Sequence, residues 1–226
     1  MKAIADNLQA VRERIGRAAK AARRDAGAVA LLAVSKTHPA ARIAEAHDAG
    51  QQAFGENYVQ EAVEKMAALP ELEWHLIGPL QSNKTRLVAE RFQWVHTIDR
   101  EKIARRLSEQ RPDGLAPLNV LIQVNASGEG TKSGVAFADL PALGRIVAAL
   151  PHLRLRGLMA IPEPGAPRER YAEVARAYEA LKRELPVDTL SMGMSDDLEV
   201  AIEEGATMVR IGTAIFGQRR KERSAA

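Results

Sequence analysis

The stretch "VALLAVSKTHP" (residues 29–39) decides how this chain is expected to fold. Its apolar run from Val29 to Val34 is typical of a buried strand, and it stops abruptly at Ser35 and Lys36. Alternate side chains of a strand share a face, so Leu32, Val34 and Lys36 point the same way. An ammonium group at the end of a buried strand favours a fold in which strand ends open into a site.

The composition is that of a soluble globular protein. The chain has 226 residues, of which 46% are hydrophobic and 27% charged, and its length fits one large domain or two small ones. It carries 32 Lys and Arg against 29 Asp and Glu, and a net charge of +3 gives no reason to expect a nucleic-acid partner. The absence of cysteine removes disulfides and thiolate chemistry. Without an apolar run of about 20 residues or a signal-like N-terminus, we expect no membrane partner and a cytoplasmic location.

Strand-like and helical patterns alternate along the whole chain. Apolar or alternating runs predict eight strands, at residues 29–35, 52–56, 73–80, 94–98, 119–125, 153–161, 189–194 and 208–216. Helical patterns occur at residues 4–27, 40–49, 57–69, 83–91, 100–110, 140–150, 169–185 and 196–204.

This alternation predicts a parallel sheet with helical crossovers, and eight such units predict a closed (β/α)8 TIM-type barrel with an extra N-terminal helix. We expect a single domain over residues 1–226. The alternative is an open doubly wound sheet, which is less favoured because no G-x-G-x-x-G motif follows the first strand.

In such a barrel the C-terminal ends of the strands form the active face, which gives Lys36 a role at the barrel mouth. The last strand puts Arg210 and Gly212 in phase, so the arginine is predicted to point inward, where it needs an acceptor or an anion. Gly212 and Thr213 then offer backbone N–H groups and a hydroxyl. Ser195 is predicted to cap a helix beginning at residue 196, which makes the seventh and eighth strand ends an anion site.

Each of these residues also has a plain structural explanation. Lys36 alone would be a surface lysine, Ser195 an ordinary helix cap and Gly212 a packing glycine. Together they indicate a site for a phosphorylated carbonyl compound, because a neutral lysine amine adds to an aldehyde while the phosphate anchors the other end. Pyridoxal 5′-phosphate has both the aldehyde and the phosphate.

Longer blocks of sequence carry a family resemblance. They are "AVSKTHP", "FGENYVQE", "WHLIGPLQSNK", "IQVNASGEGTKSG", "GLMAIPEP", "LSMGMSDDLEVAIEEG" and "TMVRIGTAIFG". These blocks resemble, nearly residue for residue, the pyridoxal phosphate homeostasis family (YggS/PROSC), which is similar in fold to the N-terminal barrel of bacterial alanine racemase. They run from about residue 31 to residue 217, so the resemblance covers most of the chain.

The resemblance implies a role for each residue of the site. Lys36 is implied to form the internal aldimine with pyridoxal 5′-phosphate, and Asn57 to lie beside the cofactor ring. Arg210 is implied to face the pyridine nitrogen. The phosphate is implied to be bound by Ser195, Gly212 and Thr213.

The resemblance further implies a protein that holds the cofactor reversibly, with no catalytic residue assigned. An arginine at the pyridine nitrogen cannot accept a proton, so the ring is a poor electron sink. Racemases of the related fold add a tyrosine base from a C-terminal β-domain of the partner subunit, and neither Tyr58, Tyr171 nor Tyr178 is an obvious equivalent. We therefore expect a monomeric carrier in vitamin B6 homeostasis, which yields its cofactor to amines or apo-enzymes.

Several alternatives stay open at this point. The second class, after the carrier, is an enzyme: a weak amino-acid racemase, another enzyme dependent on pyridoxal 5′-phosphate, or an aldolase that uses Lys36 on a sugar phosphate. A third class is a nucleic-acid or partner-binding barrel that uses its basic first helix.

Four further polar residues are predicted to face the barrel interior. His75 and His96 are expected to be hydrogen-bonded structural histidines, and Gln123 and Asn125 to support the cofactor through a polar network. Lys132 is expected in a solvated Gly-rich loop, and no metal site is expected because no histidine cluster lies near the acidic residues.

Overall fold

Eight parallel strands close into a barrel in the computed structural model, which describes residues 3–127 and 133–218. The loop predicted around Lys132 lies outside the described residues. The strands are β1 (Ala30–Val34), β2 (Ala53–Glu56), β3 (Glu73–Leu76), β4 (Trp94–Ile98), β5 (Leu118–Val124), β6 (Leu153–Ala160), β7 (Thr189–Ser191) and β8 (Met208–Ile211). They pair in chain order, and β8 pairs with β1 to complete the circle. The predicted (β/α)8 barrel is therefore confirmed.

Helices follow the strands around the outside of the barrel. Within the described ranges they are α1 (Ile4–Ala21), α2 (Ala40–Asp48), α3 (Val59–Ala68), α4 (Thr85–Arg91), α5 (Glu101–Gln110), α6 (Leu140–Ala148), α7 (Arg168–Glu184), α8 (Leu198–Glu203) and α9 (Thr213–Phe216). Two 3-10 turns, Ala26–Ala28 and Ser82–Lys84, complete the described helical structure. No helix in these ranges is both long enough and apolar enough to cross a membrane.

The strand period of two divides the core into two layers. Residues on the outer face of the strands pack with the helices in one large apolar cluster. The barrel interior contains two small apolar clusters, one built on Leu32, Ile77 and Met208 and the other on Trp94, Leu121 and Met159. Buried polar side chains fill the remaining interior, as is usual for a barrel whose interior is packed and not a pore.

The predicted N-terminal helix is confirmed as α1, which buries its apolar stripe of Ile4, Leu8, Val11 and Ile15. The helix ends at Ala21, earlier than the predicted residue 27, and the chain then turns through a left-handed residue at position 23. The extra helix is thus a packed part of the barrel.

The last two units differ from the prediction. Strand β7 ends at Ser191 and β8 at Ile211, and residues 213–216 form helix α9 where a continued strand was predicted. Helix α8 begins at Leu198 and not at residue 196. The segment between β7 and α8 contains a turn with Gly193 at φ +98°. The shortened strands leave two loops at the barrel mouth.

Candidate functional site

Lys36 lies just beyond the C-terminal end of β1, directly beside the end of β8. Leu32 on β1 is paired with Arg210 on β8. One step further, a Cβ on Gly212 would lie 3.2 Å from the carbonyl oxygen of Val34, so the two chains nearly touch there. Lys36 is half-buried two residues after Val34. The predicted lysine and the predicted glycine therefore occupy the same sector of the barrel mouth.

Arg210 points into the barrel and is buried, as predicted. Its Nη1 donates to the carbonyl oxygen of Ser191 at 2.7 Å and to Ser191 Oγ at 2.9 Å, and its Nη2 donates to the carbonyl oxygen of Ala160 at 2.8 Å. Burial lowers the pKa of Arg210 to about 10, which leaves the guanidinium charged at neutral pH. Among the described residues, these bonds leave the Nε–H and one Nη2–H of Arg210 for another partner.

Ser195 does not cap α8, contrary to the prediction. The residue preceding α8 is Asp197, and Ser195 Oγ instead accepts a hydrogen bond from the backbone N–H of Ala214, at 3.4 Å. Asp197 is drawn away from a capping role because its carboxylate accepts from the N–H of Met194 at 2.5 Å and from the hydroxyl of Tyr171 at 2.7 Å. Ser195 thereby joins the loop after β7 to the start of α9.

Gly212 and Thr213 lie at that same junction. Gly212 directly precedes α9, and Thr213 is its exposed first residue. Arg14 on α1 fixes the neighbouring loop, because its Nη2 donates to the carbonyl oxygen of Ser195 at 3.0 Å and its side chain pairs with Glu199 at 2.9 Å. The structure therefore brings the three predicted phosphate ligands together, by a contact different from the predicted helix cap.

Asn57 follows β2 and presents an unsatisfied acceptor. Its side-chain Oδ1 is buried and has no hydrogen-bond partner among the described residues. Gly78 packs against it so closely that an added Cβ would lie 2.1 Å from the carbonyl oxygen of Asn57. The carbonyl of Gly78 in turn accepts from Thr97 Oγ1 at 2.9 Å. Because a buried acceptor without a partner is costly, Asn57 Oδ1 is a candidate acceptor for a bound group.

Comparisons with known proteins agree on one family. The family model described as "Alanine racemase, N-terminal domain" matches residues 2–220. A pyridoxal phosphate homeostasis protein from Pseudomonas aeruginosa is 64% identical over 223 residues, which cover 97% of both chains. The protein of the same name from Escherichia coli K12 is 59% identical over 229 residues, covering 97% of this chain and 98% of the relative.

The chain belongs to the pyridoxal phosphate homeostasis protein family. A solved structure of PipY from Synechococcus elongatus with PLP bound is also similar, with a TM-score of 0.83 and 38% identity, covering 95% of this chain and all of PipY. The family resemblance expected from the sequence is confirmed.

This family member has a buried charged network behind Lys36, which the sequence analysis missed. Lys65 on α3 donates to Glu56 Oε1 at 2.7 Å, to Glu61 Oε1 at 2.6 Å and to the carbonyl oxygen of Ser35 at 2.9 Å. Ser35 Oγ also donates to Glu56 Oε1, and the N–H of Thr37 donates to Glu61 Oε1. The residues on both sides of Lys36 are therefore tied to α3.

The signal that would have revealed this network is modest. Glu56 is on the same strand face as Phe54, and Lys65 is on the same helix face as Val59 and Ala62, all of which are apolar positions. Two opposite charges at apolar positions of adjacent elements indicate a buried ion pair. Burial is the main influence on Glu56 and raises its pKa, against the opposing effects of Lys65 and Ser35.

The two predicted inward histidines are confirmed as buried and hydrogen-bonded. His75 Nε2 lies 2.8 Å from Glu73 Oε1, and His75 Nδ1 lies 2.9 Å from His96 Nε2. His96 Nδ1 lies 3.2 Å from Ser191 Oγ, the group that accepts from Arg210. Burial lowers the pKa of both histidines, so both are neutral at physiological pH.

The other predicted polar residues make hydrogen bonds to the loop after β5. Gln123 is buried, and its Nε2 donates to the carbonyl oxygen of Ser133 at 3.4 Å. Asn125 accepts from Ser127 Oγ at 3.0 Å. Both bonds fix the loop after β5. In the described part of the chain, no group of three or more His, Cys, Asp or Glu residues is arranged to hold a metal ion.

Proposed function

We propose that this chain binds pyridoxal 5′-phosphate at the barrel mouth and acts in its homeostasis, as a carrier that holds and releases the cofactor. The observation that carries the proposal is the convergence of three features on one sector: a half-buried lysine after β1, the Ser195–Ala214 contact, and the inward Arg210. The PLP-bound relative PipY, which is similar over its whole length, supports the same ligand for this chain.

The residues at the mouth fit this cofactor in chemistry and charge. Lys36 would hold it through a covalent C=N bond to Nζ, and Ser195, Gly212 and Thr213 would hold the phosphate with hydroxyl and backbone N–H donors. Arg210 keeps unused N–H donors for the ring nitrogen, which is an acceptor when unprotonated. The buried, partnerless Oδ1 of Asn57 would accept a hydrogen bond beside the ring.

The protein groups favour holding the cofactor over catalysis. Pyridoxal 5′-phosphate supplies a reactive aldehyde carbon and, in enzymes, an electron sink that depends on a protonated ring nitrogen. The guanidinium of Arg210 stays charged and does not give such a proton. No described tyrosine is suited to act as a second base: burial raises the pKa of Tyr178 to about 12 and also raises the pKa of Tyr171, while Tyr58 is 59% exposed.

We extend the proposal to the cellular setting. The chain acts in the cytoplasm as a single-domain monomer over residues 1–226, and it gives the cofactor to amines or apo-enzymes by hydrolysis or transimination. The basic first helix does not favour a nucleic-acid partner, because its Arg12 donates to a backbone carbonyl and its Arg14 pairs with Glu199, and Arg24, which follows the helix, also donates to a backbone carbonyl. Light scattering tests whether the protein is a monomer, and a salt-dependent RNA-retention assay tests whether it binds nucleic acid.

Trapping the bound cofactor tests the proposal directly. Purified protein mixed with pyridoxal 5′-phosphate is reduced with borohydride, and its mass and peptide map are measured. We expect an absorption band near the visible edge before reduction, and one cofactor attached at Lys36 after it. Lys36→Ala should lose both, while Lys102→Ala, a change of an exposed helix lysine, should keep both. An unchanged band in Lys36→Ala would contradict the assignment.

The second candidate is a weak amino-acid racemase, which is favoured by the match to the alanine racemase barrel model. Loss of the α-proton of alanine into deuterated solvent measures that activity. We expect exchange no faster than with free pyridoxal 5′-phosphate. Robust exchange that disappears in Lys36→Ala would replace the carrier with the enzyme.

A further inference from the structure

The barrel interior holds a continuous hydrogen-bonded chain that the cofactor site does not require. It starts at Glu73, the first residue of β3, whose side chain is 48% exposed. It continues through His75, His96 and Ser191 to Arg210 on β8, with heavy-atom separations of 2.8, 2.9, 3.2 and 2.9 Å. Both imidazole rings are completely buried. This hydrogen-bonded chain thus connects the outer surface to the guanidinium of Arg210, which is proposed to face the ring nitrogen of the cofactor.

The donors along this chain have only one consistent direction. Arg210 has no acceptor, so Ser191 Oγ accepts from it. The described contacts of Ser191 Oγ are Arg210 and His96 Nδ1 alone, so the hydroxyl proton of Ser191 is given to His96 Nδ1. A neutral His96 then carries its proton on Nε2 and donates it to His75 Nδ1.

The far end of the chain confirms this direction. His75, which accepts at Nδ1, carries its own proton on Nε2 and donates it to the Glu73 carboxylate. In the reverse direction an unprotonated His75 Nε2 would face that carboxylate at 2.8 Å, so two acceptors would be opposed. Trp94 stacks on His75 at a centroid distance of 5.1 Å and an angle of 7°, which holds the ring in this orientation.

Resting on the proposed function, we propose that Glu73, His75 and His96 are positioning residues, which act through Ser191 to fix Arg210 at the cofactor site. The residues act on Arg210 through the orientation of the Ser191 hydroxyl. When His96 accepts the hydroxyl proton, a lone pair of Ser191 Oγ faces Arg210 Nη1, whereas a hydroxyl turned the other way would oppose two donors. Because one hydrogen of Nη1 is given to Ser191 Oγ, the orientation of that hydroxyl contributes to the plane of the guanidinium, together with the carbonyl oxygens of Ser191 and Ala160.

The first test uses the cofactor-free protein and is independent of any ligand. Long-range proton–nitrogen correlation NMR assigns the protonated nitrogen of each imidazole ring. We expect His75 and His96 to be neutral near pH 7, with the proton on Nε2 in both. A proton on Nδ1 of either ring, or a charged ring, would overturn the proposed chain.

The second test measures the coupling to Arg210 with pyridoxal 5′-phosphate as the probe. His96→Leu removes the acceptor for Ser191 and should weaken cofactor binding about tenfold, the effect of about one hydrogen bond, and shift the absorption band. His96→Gln, which keeps an acceptor and a donor, should restore both. His47→Gln, a change of a half-buried histidine on α2, is the matched control.

The outcomes separate this inference from the proposed function. Unchanged affinity and an unchanged band in folded His96→Leu would overturn the positioning role. If that variant does not fold, Ser191→Ala takes its place, since it leaves Arg210 Nη1 only the Ser191 carbonyl, and unchanged binding would have the same meaning. Wild-type protein that binds no pyridoxal 5′-phosphate would contradict the proposed function while leaving the NMR result intact.

Discussion

Two buried polar networks support this barrel, one outside its strands and one inside them, and they satisfy their polar groups by different means. The network around Lys65 lies between the barrel and α3, where one cation is paired with Glu56 and Glu61. The hydrogen-bonded chain through His75 and His96 lies inside the barrel, where each neutral imidazole ring accepts one hydrogen bond and donates another in the same direction. The first network depends on opposite charges, whereas the second depends on proton placement.

The difference teaches what each network tolerates. Removing one member of a buried ion pair leaves an uncompensated charge, which is very costly in a medium of low polarity. Removing one member of a neutral chain leaves an unsatisfied donor or acceptor, which costs less. The charged network should therefore dominate stability, and the neutral chain should act mainly on the cofactor site.

The largest effect is expected from breaking the ion pair. Lys65→Met keeps the volume of the side chain but leaves the completely buried Glu56 without its cation. We expect the free energy of unfolding to fall by about 3–5 kcal/mol, measured by urea denaturation. Lys84→Met is the control, because the Lys84 side chain makes one exposed hydrogen bond to Gln60 among the residues that the structure describes, and its effect should be close to zero.

A double variant decides whether the loss comes from the stranded charge. Adding Glu56→Gln to Lys65→Met removes the charge that lost its partner, while the amide oxygen introduced by this change still accepts from Ser35. The double variant should be more stable than Lys65→Met alone by at least about 1 kcal/mol. A double variant that is less stable would mean that packing around Lys65, and not charge, sets the cost.

An intermediate effect is expected from interrupting the neutral chain. His96→Leu leaves the Nδ1 of His75 and the hydroxyl of Ser191 without their partner, which should lower the free energy of unfolding by about 1–3 kcal/mol. His96→Gln should recover most of this loss. His47→Leu serves as control, since the His47 ring makes one hydrogen-bond contact within the described ranges, to the carbonyl oxygen of Gln51, and it should cost less. A cost for His96→Leu equal to that of Lys65→Met would remove the distinction between the networks.

The sequence predicted the barrel and the inward residues because both follow from a period of two along short strands. That period places Arg210, His75 and His96 inside, and the structure agrees. It does not predict α9, because residues 213–216 are as apolar as the strand before them, and the strand pattern simply continues.

Contacts between distant residues were beyond the sequence for a different reason. Ser195 was expected to serve its own helix, yet its hydroxyl meets Ala214, which comes close only when the barrel closes. The pairing of Glu56 with Lys65 also requires knowledge of how α3 packs against β2. Local patterns fix the orientation of a side chain, whereas partners across elements depend on the tertiary fold.

Stability should decline as the pH falls below about 6.5, and the two networks contribute with opposite signs. Burial lowers the folded-state pKa of His75 and His96, so the unfolded chain binds more protons below its ordinary histidine pKa, and acid unfolds the protein. Burial raises the folded-state pKa of Glu56 above its ordinary value of 4.5. The stabilising contribution of this group is therefore lost as the pH rises from 4.5 through the folded-state pKa.

The histidine contribution is isolated by comparing wild type with His96→Gln across the same pH series, in which the Glu56 contribution cancels. Between pH 6.5 and 5.5 the wild type should lose about 1 kcal/mol more stability than the variant. Parallel curves would mean that the pKa of His96 is not lowered in the folded protein relative to the unfolded chain.

The smallest effect is expected beside Lys36, where the charged network holds a strained residue. Thr37 is exposed and has a φ of 65°, a left-handed conformation that a β-branched residue rarely adopts, and its N–H is held by Glu61 at 2.5 Å. Thr37→Asn should raise the free energy of unfolding by about 0.5–1 kcal/mol, because asparagine tolerates this conformation and the backbone N–H remains.

Thermal unfolding measures this change, and Arg23→Asn is the matched control, since Arg23 is also exposed and left-handed, at φ 56°, but is not β-branched. Its gain should be smaller. If Thr37→Asn instead lowers stability, the Thr37 side chain contributes contacts of its own. The charged network would then hold the loop beside Lys36 without storing strain in it.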